Sequence, residues 1–184
     1  MKNIRKIALI LVLVTLSGCR DQVTEPDAPV ARKWGAATNG IRCSIALPSP
    51  KYVAGDPIPV IIWIENITLE PIELEAVVAF QLYDADNLLQ YSAVFDLMAS
   101  QPDSTRSRRT QLVLSRLQRL EWEVDLIQLG WTHITSSRPP DQTFFDLIGR
   151  GQFSLRLAIE IIPTKTESFN YKWIFSNDVP LQIN

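Results

Sequence analysis

The stretch Phe153-Ser154-Leu155-Arg156-Leu157-Ala158-Ile159-Glu160-Ile161 puts an apolar side chain at every second position. Successive side chains of an extended chain point to opposite sides, so this pattern demands a strand with one dry face and one wet face. The same period governs most of the chain. Leu120, Trp122, Val124 and Leu126 alternate with Glu121, Glu123 and Asp125. Val60, Ile62 and Ile64 share a face, as do Val78, Phe80 and Leu82, and as do Ile41, Cys43, Ile45 and Leu47. Val179, Leu181 and Ile183 read as a last edge strand. Gly55-Asp56-Pro57 and Asp84-Ala85-Asp86-Asn87 are turn signals, the second a hairpin turn. One short helix is expected over 141–148, stopped by Gly149. Twelve prolines against seven glycines, with abundant Ile, Val and Leu, favour strands further. The reading is an all-β fold, an antiparallel sandwich of about seven to nine strands.

The beginning of the chain has a different character. Lys2, Arg5 and Lys6 precede an unbroken apolar run from Ile7 to Val14, and Leu16-Ser17-Gly18-Cys19 follows. A positive segment, a short apolar core and small residues are the layout of a secretory signal. The run is too short to span a bilayer, which takes about 20 residues. Leu16-Ser17-Gly18-Cys19 resembles the lipobox of bacterial lipoproteins. The resemblance implies a signal peptide over 1–18, acyl chains on Cys19 and attachment to a membrane of the cell envelope through them. In that family an aspartate directly after the cysteine resembles a signal for retention in the inner membrane. Arg20 stands there, with Asp21 one further on, which leans toward an outer-membrane or surface location. Residues 19–33, polar and carrying Pro26 and Pro29, read as the lipidated cysteine and a flexible tether. The folded domain is expected over 34–184.

Removal of residues 1–18 takes three cations and no acids, so the balance moves from 18 − 20 = −2 to 15 − 20 = −5. A mildly acidic chain argues against nucleic acid as a partner. With Cys19 lipidated, Cys43 stands alone and no intramolecular disulfide can form. Its alternation with Ile41 and Ile45 makes it a small core residue. One histidine and one free cysteine do not make a metal site, and no cofactor is expected.

Within the domain, the run GDPIPVIIWIENIT resembles a strand region of immunoglobulin-like domains on bacterial surface proteins. There a G-(D/E)-P turn leads into an alternating strand that ends in Asn-x-Ser/Thr. FSNDVPLQI resembles their closing strand. The resemblance implies an immunoglobulin-like sandwich, with extra length in the connections near 96–110 and 127–150. The Asn66 to Ile72 run also resembles an N-x-S/T-x-x-P-I segment of small sandwich-type protease inhibitors.

Candidate chemistry is sparse. Asp84, Asp86 and Asn87 lack the glycine and later glutamate of a calcium loop. His133 is the only histidine and no nucleophile elbow accompanies it. Glu121, Glu123 and Asp125 read as a solvated strand face, and Arg106, Arg108, Arg109, Arg116 and Arg119 as a solvated cluster. Trp63 points away from its strand's aliphatic set, while Trp173 is expected in a loop with Tyr171. If exposed, these three rings could stack on sugars or anchor a protein partner. The expectation is therefore a non-enzymatic envelope lipoprotein presenting a sandwich domain to a protein partner. A carbohydrate-binding module using Trp63, Tyr171 and Trp173, and an inhibitor-like sandwich, are the alternatives.

Overall fold

The strongest alternating stretches pair with one another to make the centre of the fold. In the computed structural model, which describes residues 32–97, 110–135, 143–162 and 172–184, the strands are β1 (Ile41–Ala46), β2 (Lys51–Tyr52), β3 (Pro59–Asn66), β4 (Ile72–Tyr83), β5 (Leu89–Phe95), β6 (Thr110–Leu114), β7 (Arg119–Asp125), β8 (Trp131–His133), β9 (Gly151–Ile162), β10 (Lys172–Phe175) and β11 (Val179–Ile183). They form a three-stranded sheet in the order β1-β3-β7 and an eight-stranded sheet along β2-β11-β9-β4-β5-β8, with β10 on β9 and β6 on β4. This is an all-β sandwich with the two-sheet order of immunoglobulin-like folds. It has eleven described strands instead of seven to nine.

Two details depart from the expected antiparallel arrangement. β11 is not an edge: it lies between β9 and β2, and its pairing with β2 is parallel. Trp173 lies in strand β10 and not in a loop. β10 and β11 pair with successive halves of β9, and residues 176–178 kink the chain between them. Tyr171 and Cys19 lie outside the described residues, as do Arg106, Arg108 and Arg109.

The dry faces meet as the alternation requires. Cys43, Val60, Ile62 and Ile64 of the small sheet pack against Val78, Phe80, Leu157 and Ile159 of the large one. Burial pushes the Cys43 thiol up to about 12, so it stays neutral and unreactive. Phe80 and Phe95 stack at 5.1 Å within this core. Helix α1 (Phe144–Ile148) is capped by Thr143, whose hydroxyl accepts from the Asp146 N–H, and ends at Gly149 with φ 73°. Phe144 packs edge-on against Trp131, whose indole N–H donates to the Leu126 carbonyl at 2.8 Å. The helix thereby closes the side where β7 runs out and β8 begins.

One element has no counterpart in the expected strands. Residues 32–38 double back along β1 through a two-residue turn at Asn39 (φ 51°) and Gly40 (φ 77°). Thr38 and Ile41 exchange both backbone hydrogen bonds, and the Gly35 N–H donates to the Cys43 carbonyl. Asn-Gly with both φ positive is the favoured two-residue hairpin turn. This strap lies over the outer face of the small sheet, with packing under way at Arg32. The Ser44 hydroxyl donates to the Lys33 carbonyl at 2.6 Å. Asn177, in the kink between β10 and β11, ties β1 to the large sheet. Its amide oxygen accepts from the Ile45 N–H and its amide nitrogen donates to the Ile45 carbonyl.

Candidate functional site

The outer face of the small sheet is where Trp63 points, and the strap closes it. Trp63 is only 7 % exposed. The Arg32 guanidinium sits 4.2 Å over its ring, and its indole N–H donates to the Glu121 carboxylate. The exposure that a recognition role would need is absent at this residue. One register step along, Glu65 lies between Arg42 (2.6 Å) and Arg119 (2.9 Å), and Trp34 lies under both guanidiniums at 4.4 and 5.3 Å. Burial pushes the Glu65 carboxyl up, but hydrogen bonds from Arg119 and Arg42 outweigh it and hold the group below its ordinary range. This face is a fastening, in which Glu121 and Arg119 keep the exposure the sequence suggested and still bond to the Trp63 indole and to Glu65.

At the end of the sandwich where β1 begins, two turns are bound together by Asn66. Its side chain is fully buried. The amide nitrogen donates to the Glu70 carbonyl at 2.7 Å and the Ser115 carbonyl at 3.0 Å. The amide oxygen accepts from both the N–H and the hydroxyl of Thr68, at 2.8 and 2.7 Å. That is the physical content of the Asn-x-Thr motif here: the pair satisfies the buried backbone of the β3–β4 and β6–β7 turns. The Leu117 N–H donates to the Thr68 carbonyl, and the Ile67 N–H to the Gly40 carbonyl. Three large apolar side chains face solvent on this rigid tip, beside the exposed Glu70, Ser115 and Arg116. Leu69 is 70 % exposed, Leu117 59 % and Ile67 42 %. Leu117 also has φ 54°, an uncommon conformation for a bulky residue that must be held by its surroundings.

The large sheet has an open outer face. Trp173 and Phe175 are parallel there, 6.0 Å apart with 7° between planes, and more than a third exposed. Arg156 donates twice to Asp178, at 2.6 and 2.8 Å, and lies 4.8 Å over the Tyr83 ring. The hydrogen bond to Asp178 pushes the guanidinium pKa up and keeps it charged. Past this pair lies a groove of about 520 Å³, between the β4–β5 turn and the ends of β2, β9 and β11.

The remaining candidates have ordinary roles. Asp84 accepts from the N–H groups of Asp86 and Leu88 and from the Gln90 amide, which makes the expected hairpin turn. The hydrogen bond from the Leu88 N–H is the chief cause of its lowered pKa. His133 bonds to Thr135 through Nδ1 and meets Tyr91 edge-on. Among the described residues no three His, Cys, Asp or Glu side chains gather to hold a metal ion. No described helix is long and apolar enough to cross a membrane. Of the three rings expected to bind, Trp63 and Trp173 fall on different sheets. Phe175 and the Leu69–Leu117 tip were missed. Period two did mark Phe175 as the companion of Trp173, and Asn-Gly at 39–40 could have marked the strap.

The chain matches no protein-family model and no curated protein. Among solved structures, the C-terminal domain of Wzt is similar to it, with a TM-score of 0.47 and 13 % identity over 88 % of this chain and 83 % of that one.

Proposed function

We propose that this is a lipid-anchored protein of the cell envelope whose domain is non-enzymatic and binds a protein partner through the apolar tip. The sequence supports the anchor through Leu16-Ser17-Gly18-Cys19 and the polar tether behind it. The observation that carries the partner reading is Leu117. A large apolar side chain is held in a left-handed conformation beside exposed Leu69, on turns that Asn66 has already fixed. Exposed apolar groups on a rigid frame lose little conformational entropy on docking and release water when covered. They fit an apolar pocket on another protein. The Asn66 to Ile72 run that resembles small sandwich-type inhibitors lies in this tip, which makes a protease of the envelope one partner of the right kind.

The test uses the full lipidated chain in intact cells. A photo-crosslinking side chain at position 69 should trap an envelope protein. The same side chain at Val53, 58 % exposed at the opposite end of the sandwich, should not. Leu117→Asp combined with the position 69 probe should remove the adduct. Equal labelling from both positions, or none from position 69, would overturn the reading.

A further inference from the structure

The outer face of the large sheet carries a second surface of different chemistry, independent of the tip. Along β9 the outward side chains are Glu160, Ala158, Arg156, Ser154 and Gln152. Trp173 and Phe175 stand beside Glu160 and Ala158, and Pro180 and Gln182 stand beside Ser154 and Gln152. From position 160 to position 152 is eight strand steps, or about 26 Å. The strip therefore runs unbroken from the exposed rings, past the Arg156–Asp178 pair, into the groove.

Its two ends differ in what they leave unsatisfied. At the ring end, Phe175 has Ala158 as its neighbour on β9, and Ala158 has Ala79 as its neighbour on β4. Both alanines are buried beneath their neighbours, and Arg156 lies 5.6 Å over the Phe175 ring, so the ligand surface at this end is the exposed part of Trp173 and Phe175. At the groove end the side chains of Lys51, Gln152 and Ser154 have no hydrogen-bond partner among the described residues, while Asp84 is already taken up by its turn. Arg156 and Asp178 neutralise one another at the middle of the strip, and Lys51 and Asp84 both line the groove.

We propose that this strip binds an uncharged polysaccharide chain laid along β9, with one sugar against Trp173 and Phe175 and its neighbours hydrogen-bonded in the groove. A pyranose ring presents C–H groups on its faces and hydroxyls around its rim. The C–H faces suit an aromatic ring, whose face is electron-rich. Each hydroxyl both donates and accepts, which suits an amide, a hydroxyl and an ammonium left open in a wet groove. Protein interfaces are depleted of charge at their centres, and covering this strip with protein would strip water from Arg156, Asp178, Lys51 and Asp84 together. An uncharged glycan leaves the Arg156–Asp178 pair intact and these charges hydrated.

Affinity electrophoresis of the full chain tests this, in gels cast with glucan, mannan, galactan or xylan, or with polysaccharide extracted from the producing cells' envelope. Retardation is expected in at least one gel. Trp173→Ala should weaken it by about tenfold, the scale of one aromatic stacking contact. Gln152→Ala, an exposed change at the far end of the strip, should weaken it several-fold, and Leu69→Asp should leave it unaltered. Full mobility in every gel overturns the proposal, as does retardation that survives both Trp173→Ala and Gln152→Ala. Either failure leaves the docking of a protein on the tip standing, because the crosslink from position 69 reads that separately.

Discussion

Trp63 shows what alternation reveals about a single residue and what it leaves out. Period two placed its ring on the face opposite Val60 and Ile62, and that is where it lies. The pattern carries no information on what covers the face. The cover comes from Arg32, far back in the chain, and from Glu121, 58 residues ahead. Glu121 is exposed, as a solvated face requires, but its bond to the Trp63 indole depends on the register of β7 against β3, which a single strand does not encode. Trp63→Ala should therefore act as a core truncation and lower stability by about 3–5 kcal/mol. Loss of the cation–π contact with Arg32 adds about 0.5–1 kcal/mol. Urea unfolding followed by circular dichroism measures both. A change below 1 kcal/mol would mean that the ring is free in solution and the strap displaced. Trp122, on the inner face of edge strand β7, is only partly buried. Its truncation should fall at or below the lower end of the same range.

Among the elements, the strands were legible because each has one buried face, and the alternation writes that face into the sequence. The strap was not legible by that route. Residues 32–38 hold position through Gly35, the Lys33 carbonyl and three guanidinium–ring contacts, none of which gives a period. Gly35 is the tight point. A Cβ there would lie 1.8 Å from the Phe175 carbonyl oxygen, which is backbone and cannot turn aside. Gly35→Ala should force the strap off β1, at a cost of about 1–3 kcal/mol for an overpacked site. The expected signature is specific. The bond from the Ser44 hydroxyl to the Lys33 carbonyl opens, Trp34 and Trp63 gain water, and tryptophan emission shifts to the red while the far-ultraviolet spectrum stays that of a β protein. Unshifted emission with unchanged stability would show that the backbone accommodates the methyl. The tip was half legible. The Asn-x-Thr run was visible, but that it binds a second turn depends on Ser115, 49 residues away.

At the scale of the whole molecule, the sandwich puts two unlike surfaces on one frame. The tip carries three exposed apolar side chains and is fixed by Asn66; the strip along β9 is polar with two rings at one end. Both lie within the compact unit Arg32–Asn184. That separation makes Cys19 testable without ambiguity. A buried methylene adds about 0.8 kcal/mol to membrane binding, so a single acyl chain holds a protein only marginally, and two or more hold it firmly. If Cys19 carries such chains, Cys19→Ala should move the protein from the membrane fraction to the soluble fraction or leave an uncleaved precursor. The mature domain released from it should melt at the same temperature as the lipidated form, because position 19 lies outside the compact unit Arg32–Asn184. The crosslink from position 69 should weaken with it if the partner is also confined to the membrane, since anchoring both raises their effective concentration. Cys19→Ala protein that still sediments with membranes, cleaved after Gly18, would remove the lipid anchor and leave the two surfaces to act on a protein held by some other means.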